Sequence, residues 1–187
     1  MGLLQEALTL FHPYYLVNIV LGASFVALRT LSPLCYYEPT YKGPEKVTYF
    51  SKDTLEEEMA SDKDITWVVC FYASWSPACV QFAPLFSQLS VEYGTPYLRF
   101  GKLDATRFRD TALRFSVSDH AYSKQLPTVV VFQHGGTEMC RVPTLSSSGR
   151  VNRVPMTRDV VIKGLAMDDL KEDALKLEKK KGKKKEN

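Results

Sequence analysis

The residues best suited to chemistry in this 187-residue chain follow a strongly apolar run at residues 66–73. Ser76 and Cys79 lie three positions apart, and Pro77 between them favours the first turn of a helix. A cysteine near a helix N-terminus can have a lowered pKa, because the helix dipole stabilises its thiolate. Such a thiolate can form mixed disulfides, be glutathionylated or be oxidised. The alternative for Cys79 is a buried side chain that serves only as packing.

Alternating strands and helices are expected to position these two residues. The apolar, β-branched and aromatic run is typical of a strand buried on both faces. Spaced apolar side chains indicate a helix over 77–93. The predicted strands are 47–50, 66–73, 97–103, 128–132 and 137–142, and the predicted helices are 53–60, 77–93, 110–115 and one last helix from about 159 to 180, capped by Thr157. A turn at 134–136 joins the last two strands, so the order predicts an α/β sandwich.

Several motifs in this order resemble the thioredoxin family over about 100 residues. They are the run from Phe71 to Cys79, the helix-kinking Pro84, the Leu126-Pro127-Thr128 loop and the Gly135-Gly136 turn. The resemblance implies a thioredoxin-like domain over 47–170 in which Trp75 and a cis-Pro127 loop contact the substrate.

The chain departs from that family at its nucleophile. The resemblance places the first motif cysteine at Ser76, whose hydroxyl stays protonated without a strong base, so no internal active-site disulfide forms. Cys70 stands where thioredoxins keep a buried carboxylate that helps to deprotonate the second cysteine. Cys79 remains and is expected to face the Pro127 loop, with no neighbouring thiol to resolve its adducts. The chain is therefore predicted not to be a dithiol oxidoreductase.

Three functions are compatible with this motif. The first is a redox-responsive, partner-binding protein that uses Cys79 to form mixed disulfides with cysteine-containing proteins or a disulfide-linked homodimer. The second is a monothiol disulfide oxidoreductase that uses Cys79 with glutathione. The third is an adaptor whose fold serves only as a docking surface. None of the three requires a cofactor.

The N-terminal segment is predicted to anchor the chain in a membrane. Residues 7–28 contain no Asp, Glu, Lys or Arg, and as a helix of 22 residues they would extend about 33 Å, enough to cross the hydrocarbon core. The anchor is assigned to 1–31 and a proline-containing linker to 32–46. The alternative is a cleaved signal peptide, but Glu6 and the absence of basic residues before the apolar stretch argue against it.

The flanking charges predict the orientation. Glu6 precedes the span, whereas Arg29, Lys42 and Lys46 follow it, which places the folded domain in the cytosol. In the Lys-rich tail at 171–187, Lys184-Lys185 resembles the di-lysine signal that returns membrane proteins to the endoplasmic reticulum.

Segments before, within and after the domain resemble the type 2 thioredoxin-related transmembrane proteins. They are H-P-Y-Y-L, S-P-L-C, G-P-E-K and S-K-Q-L-P-T, together with the di-lysine ending. The predicted location is the endoplasmic reticulum membrane, with its mitochondria-associated regions as an alternative. The resemblance also implies further hydrophobic segments between the first span and the domain, which this sequence lacks. The orientation is therefore taken from its own charges.

Composition argues against nucleic-acid and metal partners. The net charge of +3 arises in residues 171–187, which hold 8 Lys against 4 acidic residues and leave 16 basic and 17 acidic residues upstream. The basic excess therefore belongs to the tail, and nucleic-acid binding is not predicted. The four cysteines form no C-x-x-C pair and no cluster with metal-ligand spacing, so no metal site is predicted.

Replacing both Lys184 and Lys185 with Ser should move the protein out of the endoplasmic reticulum, because the retrieval signal would be lost. The measurement is the steady-state distribution by fractionation. Lys179→Ser with Lys180→Ser is the matched control, since it removes the same charge without touching the signal. An unchanged distribution in the first variant would refute the retrieval interpretation.

Overall fold

A computed structural model describes residues 17–24, 41, 43–120, 124–146 and 149–185. The chain divides into two units, Met1–Tyr37 and Glu38–Asn187. In the first unit, residues 17–24 are helical. Within the described ranges, no helix is both long and apolar enough to cross a membrane. The remainder of the predicted anchor lies outside the described residues.

The second unit is built on a five-stranded sheet flanked by helices. The strands are β1 (Val47–Phe50), β2 (Thr66–Tyr72), β3 (Leu98–Asp104), β4 (Thr128–Gln133) and β5 (Thr137–Val142), and the helices are α1 (Thr54–Ser61), α2 (Pro77–Tyr93), α3 (Arg109–Arg114), α4 (Arg158–Gly164) and α5 (Met167–Lys185). The strand order is β1-β3-β2-β4-β5, with β1, β3 and β2 parallel and the β4–β5 hairpin antiparallel. The predicted α/β sandwich is confirmed.

Side chains of β2 alternate between two cores, as successive residues of a strand must. Trp67, Val69 and Phe71 pack with residues of α1 and α3 on one face of the sheet. Val68 and Cys70 pack with residues of α2, α4 and α5 on the other face. The central strand is buried on both faces, as its apolar run predicted.

Helix α2 has the predicted bounds. Its N-cap is Ser76 and its first residue is Pro77, which fits because the first helical N–H needs no partner within the helix. Phe86 is fully buried against the sheet, and its ring meets that of Phe100 edge-on at 5.5 Å between centroids. Burial of such a ring contributes roughly 1.5–3 kcal/mol, which holds the middle of α2 against β3.

The single C-terminal helix predicted over 159–180 is in fact two helices. Ala166 between them has φ 49°, in the left-handed region, and interrupts the helical path. Leu165 and Met167 are both fully buried. Two residues apart, they would point about 200° away from each other in a continuous helix, and the break brings both into the core. Thr157 holds the N-cap position of α4, but its side chain makes no capping hydrogen bond.

The segment assigned to the Lys-rich tail continues α5 along the domain. Ala174 is buried. The ammonium of Lys181 lies 2.6 Å from the Asp64 carboxylate and 4.8 Å from the centre of the Tyr97 ring. The side chains of Lys184 and Lys185 lie outside the described part of the chain.

Candidate functional site

A groove of about 590 Å³ lies between the start of α2 and the loop before β4. Motif residues Trp75, Ser76 and Ala78 line one side, and Leu126 and Pro127 line another. The peptide bond between Leu126 and Pro127 is cis. A third wall comes from the segment between β5 and α4 at 153–157. The two residues predicted to contact substrate therefore line one groove.

Trp75 stands at the edge of this groove. Its indole is 47% exposed, which is unusual for so large an apolar side chain in a domain of this size. Its Nε1–H donates a hydrogen bond of 3.1 Å to the Thr106 hydroxyl on the segment after β3. The ring is therefore fixed in orientation while much of its surface remains available for contact.

Ser76 is positioned by the backbone at the junction of β2 and α2. Its N–H donates to the Ala73 carbonyl at 3.1 Å, and its own carbonyl accepts from the Val80 N–H at 3.1 Å. Its hydroxyl is near enough to Cys79 to favour the lower pKa of that thiol. The spatial relation expected of the two motif positions is therefore present, with an oxygen in place of the first sulfur.

Cys79 does not line the groove, contrary to the expectation that it faces the Pro127 loop. It is 4% exposed, and its sulfur lines a separate cavity of about 100 Å³. Cys79 lies in the first turn of α2, and the Ala73 N–H just after β2 donates to its sulfur at 3.5 Å, which holds the thiol against the end of that strand rather than in the groove.

The pKa of Cys79 is raised rather than lowered, so the sequence-based expectation is wrong. Burial is the main cause, because it penalises the thiolate, and the negative charge of Asp104 adds to it. The hydrogen bond from Ala73 and the nearby Ser76 hydroxyl act in the opposite direction without outweighing burial. At neutral pH the sulfur is therefore a protonated thiol.

A second thiol, Cys70, lines the same cavity, so Cys79 is not without a sulfur neighbour. Burial raises the pKa of Cys70 far above its ordinary value, the charge of Cys79 adds to this, and Lys102 opposes it. The side-chain alternation along β2 places Cys70 on the α2 face. That alternation was readable in the sequence and could have predicted the contact.

An ion pair between the buried Lys102 and the exposed Glu45 also lines this cavity. Lys102 of β3 is only 7% exposed, and its ammonium donates to the Ser87 hydroxyl at 3.2 Å. Ser87 in turn donates to the Glu45 carboxylate at 2.8 Å, and that carboxylate lies 3.7 Å from the Lys102 ammonium. A charge buried this deeply requires a partner. Sequence reasoning missed this group, and a lysine inside a predicted strand was the available signal.

Neither cavity contains the side chains of a metal site. Among the described residues, no three His, Cys, Asp or Glu side chains gather as they would around a metal ion. The groove can hold a ligand, and the two buried sulfurs, those of Cys70 and Cys79, can be oxidised.

Alkylation of Cys79 by iodoacetamide in the folded chain should be slow at pH 7 and should still be rising at pH 9.0, the ordinary thiol pKa, because the thiolate is the nucleophile. Below the pKa the rate should increase about tenfold per pH unit as the thiolate fraction grows. Peptide mass spectrometry measures the rate at each cysteine, and the urea-unfolded chain is the control. Faster labelling of Cys79 than of half-buried Cys140 at pH 7 would contradict the protonated, buried thiol.

Solved structures show the same fold. The thioredoxin NaTrxh of Nicotiana alata superposes with a TM-score of 0.52 at 24% identity, covering 66% of this chain and 93% of that one. Spinach chloroplast thioredoxin F (short form) superposes with a TM-score of 0.50 at 18% identity, covering 67% and 94%. At these identities the likeness concerns the fold alone.

Sequence comparison gives the family. Thioredoxin-related transmembrane protein 2 homolog of Drosophila melanogaster is 42% identical over 155 residues, 82% of this chain and 57% of that protein. Thioredoxin-related transmembrane protein 2 of Xenopus laevis is 37% identical over 166 residues, 89% and 58% of the two chains. The chain thus spans a little over half the length of these relatives. The thioredoxin family model matches residues 46–146. The chain therefore belongs to the thioredoxin family, and its resemblance to the type 2 thioredoxin-related transmembrane proteins is confirmed.

Proposed function

We propose that this chain is a membrane-anchored, partner-binding thioredoxin-like protein of the endoplasmic reticulum, with its domain in the cytosol, that responds to redox state through Cys79. One observation carries the proposal: the groove is lined by Ser76, while the remaining thiol of the motif is buried in a separate cavity. Recognition and redox chemistry therefore belong to different surfaces of the domain.

Binding in the groove needs no covalent step. Disulfide exchange requires a thiolate that attacks a substrate sulfur, and a serine hydroxyl does not perform this attack. The exposed indole of Trp75 and the apolar Leu126–Pro127 wall provide contact area for a segment of another protein. A partner is therefore held and released without exchange of its disulfides.

The membrane and compartment assignments rest on sequence features. The curated relatives carry "transmembrane" in their names, and residues 7–28 form an uncharged stretch of matching length. The basic flank after this stretch and the Lys184-Lys185 ending favour a cytosolic domain at the endoplasmic reticulum. Protease digestion of intact microsomes should then remove the domain.

Monothiol catalysis is the second candidate, and one feature favours it. The Ala73 N–H donates a hydrogen bond to the sulfur of Cys79, and the nearby Ser76 hydroxyl acts in the same direction on its pKa, so each favours the thiolate. If glutathione reached this sulfur, the two groups would support attack. Burial opposes this route, because a substrate disulfide does not fit a cavity of about 100 Å³.

The unchanged chain should not reduce insulin disulfides, with or without glutathione, whereas Ser76→Cys should gain turnover with a dithiol reductant. The new thiol would lie near Cys79, at the position of the serine hydroxyl that now favours the lower pKa of Cys79. Turnover should remain roughly a hundredfold below that of an ordinary thioredoxin, because position 70 offers no proton acceptor. Insulin turbidity measures the rate.

Two further variants control this experiment. Ser76→Ala removes the hydroxyl without adding a thiol and should stay inactive. Ser76→Cys combined with Cys70→Asp restores a proton acceptor and should exceed Ser76→Cys alone. Glutathione-dependent turnover by the unchanged chain would refute the binding proposal in favour of the monothiol enzyme.

The redox response is proposed to begin inside the cavity. Its volume of about 100 Å³ corresponds to roughly three water molecules, enough to admit hydrogen peroxide. Peroxide converts the Cys79 thiol to sulfenic acid with release of water, and a second thiol then forms a disulfide with release of another water. Inside the closed cavity that second thiol is Cys70, whereas an adduct with glutathione or another protein chain requires a local opening that exposes the oxidised sulfur.

Mild peroxide should produce a disulfide-linked dimer or a glutathione adduct. This species should disappear in Cys79→Ala and persist in Cys140→Ala and in Cys35→Ala. Cys35 lies outside the described residues. Cys70→Ala should increase the yield of this species, because the competing internal thiol is removed. Non-reducing gels and intact mass report the species. Its survival in Cys79→Ala would show that Cys79 is only packing.

A further inference from the structure

We infer that the groove selects an extended segment of a partner protein in which an Asp or Glu side chain lies beside apolar residues. This inference rests on the proposed partner-binding function and specifies the ligand. Three observations support it: the charged side chains of the groove walls are basic, the nearest carboxylate is paired elsewhere, and the surface between the basic side chains is apolar.

All ionisable side chains that line the groove are basic. They are His120, Lys124 and Arg153, and no Asp or Glu is among the lining residues. Lys124 lies on the loop before Pro127, and Arg153 lies on the facing segment before α4. Both are exposed. Cationic groups therefore enter the groove from two separate walls.

The carboxylate nearest in sequence to the groove residues pairs with neither Lys124 nor Arg153. Asp119, next in sequence to His120, is held 2.9 Å from the Arg109 guanidinium. In the described part of the chain, no carboxylate lies within ion-pair distance of Lys124 or Arg153, although other basic side chains such as Arg158 are paired. The positive charges of Lys124 and Arg153 are therefore available to a ligand.

Between the cations the groove is apolar. Trp75 is 47% exposed and Val154 is 41% exposed, and Pro155 and Met156 continue this surface beside them. A small anion would leave this surface uncovered. A nucleic acid is disfavoured because the chain upstream of the tail has one more acidic than basic residue. An extended protein segment covers the apolar surface and also places a carboxylate between Lys124 and Arg153.

A random 12-residue peptide library on phage, selected against the full 187-residue chain, tests this inference. Enriched sequences should carry Asp or Glu beside apolar residues and should not bind Trp75→Ala. Replacing Glu by Gln in a synthetic enriched peptide should weaken binding roughly fivefold, as expected for partly exposed charge pairs. Lys124→Glu with Arg153→Glu should abolish the acidic preference.

Lys52→Glu with Arg107→Glu is the matched control, because it makes the same charge change at exposed positions outside the groove. It should keep the acidic preference, and thermal melts verify that each variant is folded. Two results would overturn this inference and leave the proposed function standing. In the first, the enriched peptides need Trp75 but show no preference for Asp or Glu. In the second, the acidic preference remains in the variant with Lys124→Glu and Arg153→Glu. Failure to enrich any Trp75-dependent peptide would overturn both.

Discussion

The spacing of three residues between Ser76 and Cys79 at the start of α2 determines what the site can do. In a helix, three residues correspond to about 300° of rotation and 4.5 Å of rise, so the two side chains are neighbours on nearly the same face. Ser76 lines the groove, whereas Cys79 is buried and lines the separate cavity. Serine at the first position changes the chemistry of the groove and leaves the buried sulfur in place. Binding and oxidation are thus assigned to neighbouring side chains that line different cavities.

The buried ammonium of Lys102 imposes a second constraint. It lies in β3 beneath α2, where an unpaired charge would cost several kcal/mol. Its counter-charge comes from Glu45, and Ser87 of α2 hydrogen-bonds both groups. The segment before β1, which the sequence suggested was only a linker, is therefore tied to the central sheet and to the helix that carries the motif.

Local sequence patterns were sufficient to predict most elements of the fold. The features that were not predicted depend on long-range contacts. The apolar spacing over 77–93 fixed the bounds of α2, because that helix buries one face along its whole length. The break at Ala166 was not predictable in this way, since a left-handed residue there follows from packing two neighbouring side chains into one core. The raised pKa of Cys79 was missed because the helix dipole is a local property, whereas burial depends on the fold.

The thiol at position 70 and the serine at position 76 both disfavour disulfide exchange. A carboxylate at position 70 would have placed an anion and a proton acceptor beside Cys79, within the influence of Lys102. With a neutral Cys70 there, the positive charge of Lys102 is balanced by Glu45 instead. The carboxylate of Glu45, which also lines the cavity, is engaged by Lys102 and Ser87, and burial keeps Cys79 a thiol at neutral pH. The site therefore has no thiol at position 76 and no carboxylate at position 70, while the groove proposed to recognise a partner is present. Disulfide exchange needs both a nucleophilic thiolate and a group that takes up its proton, so this pair of residues favours binding over turnover.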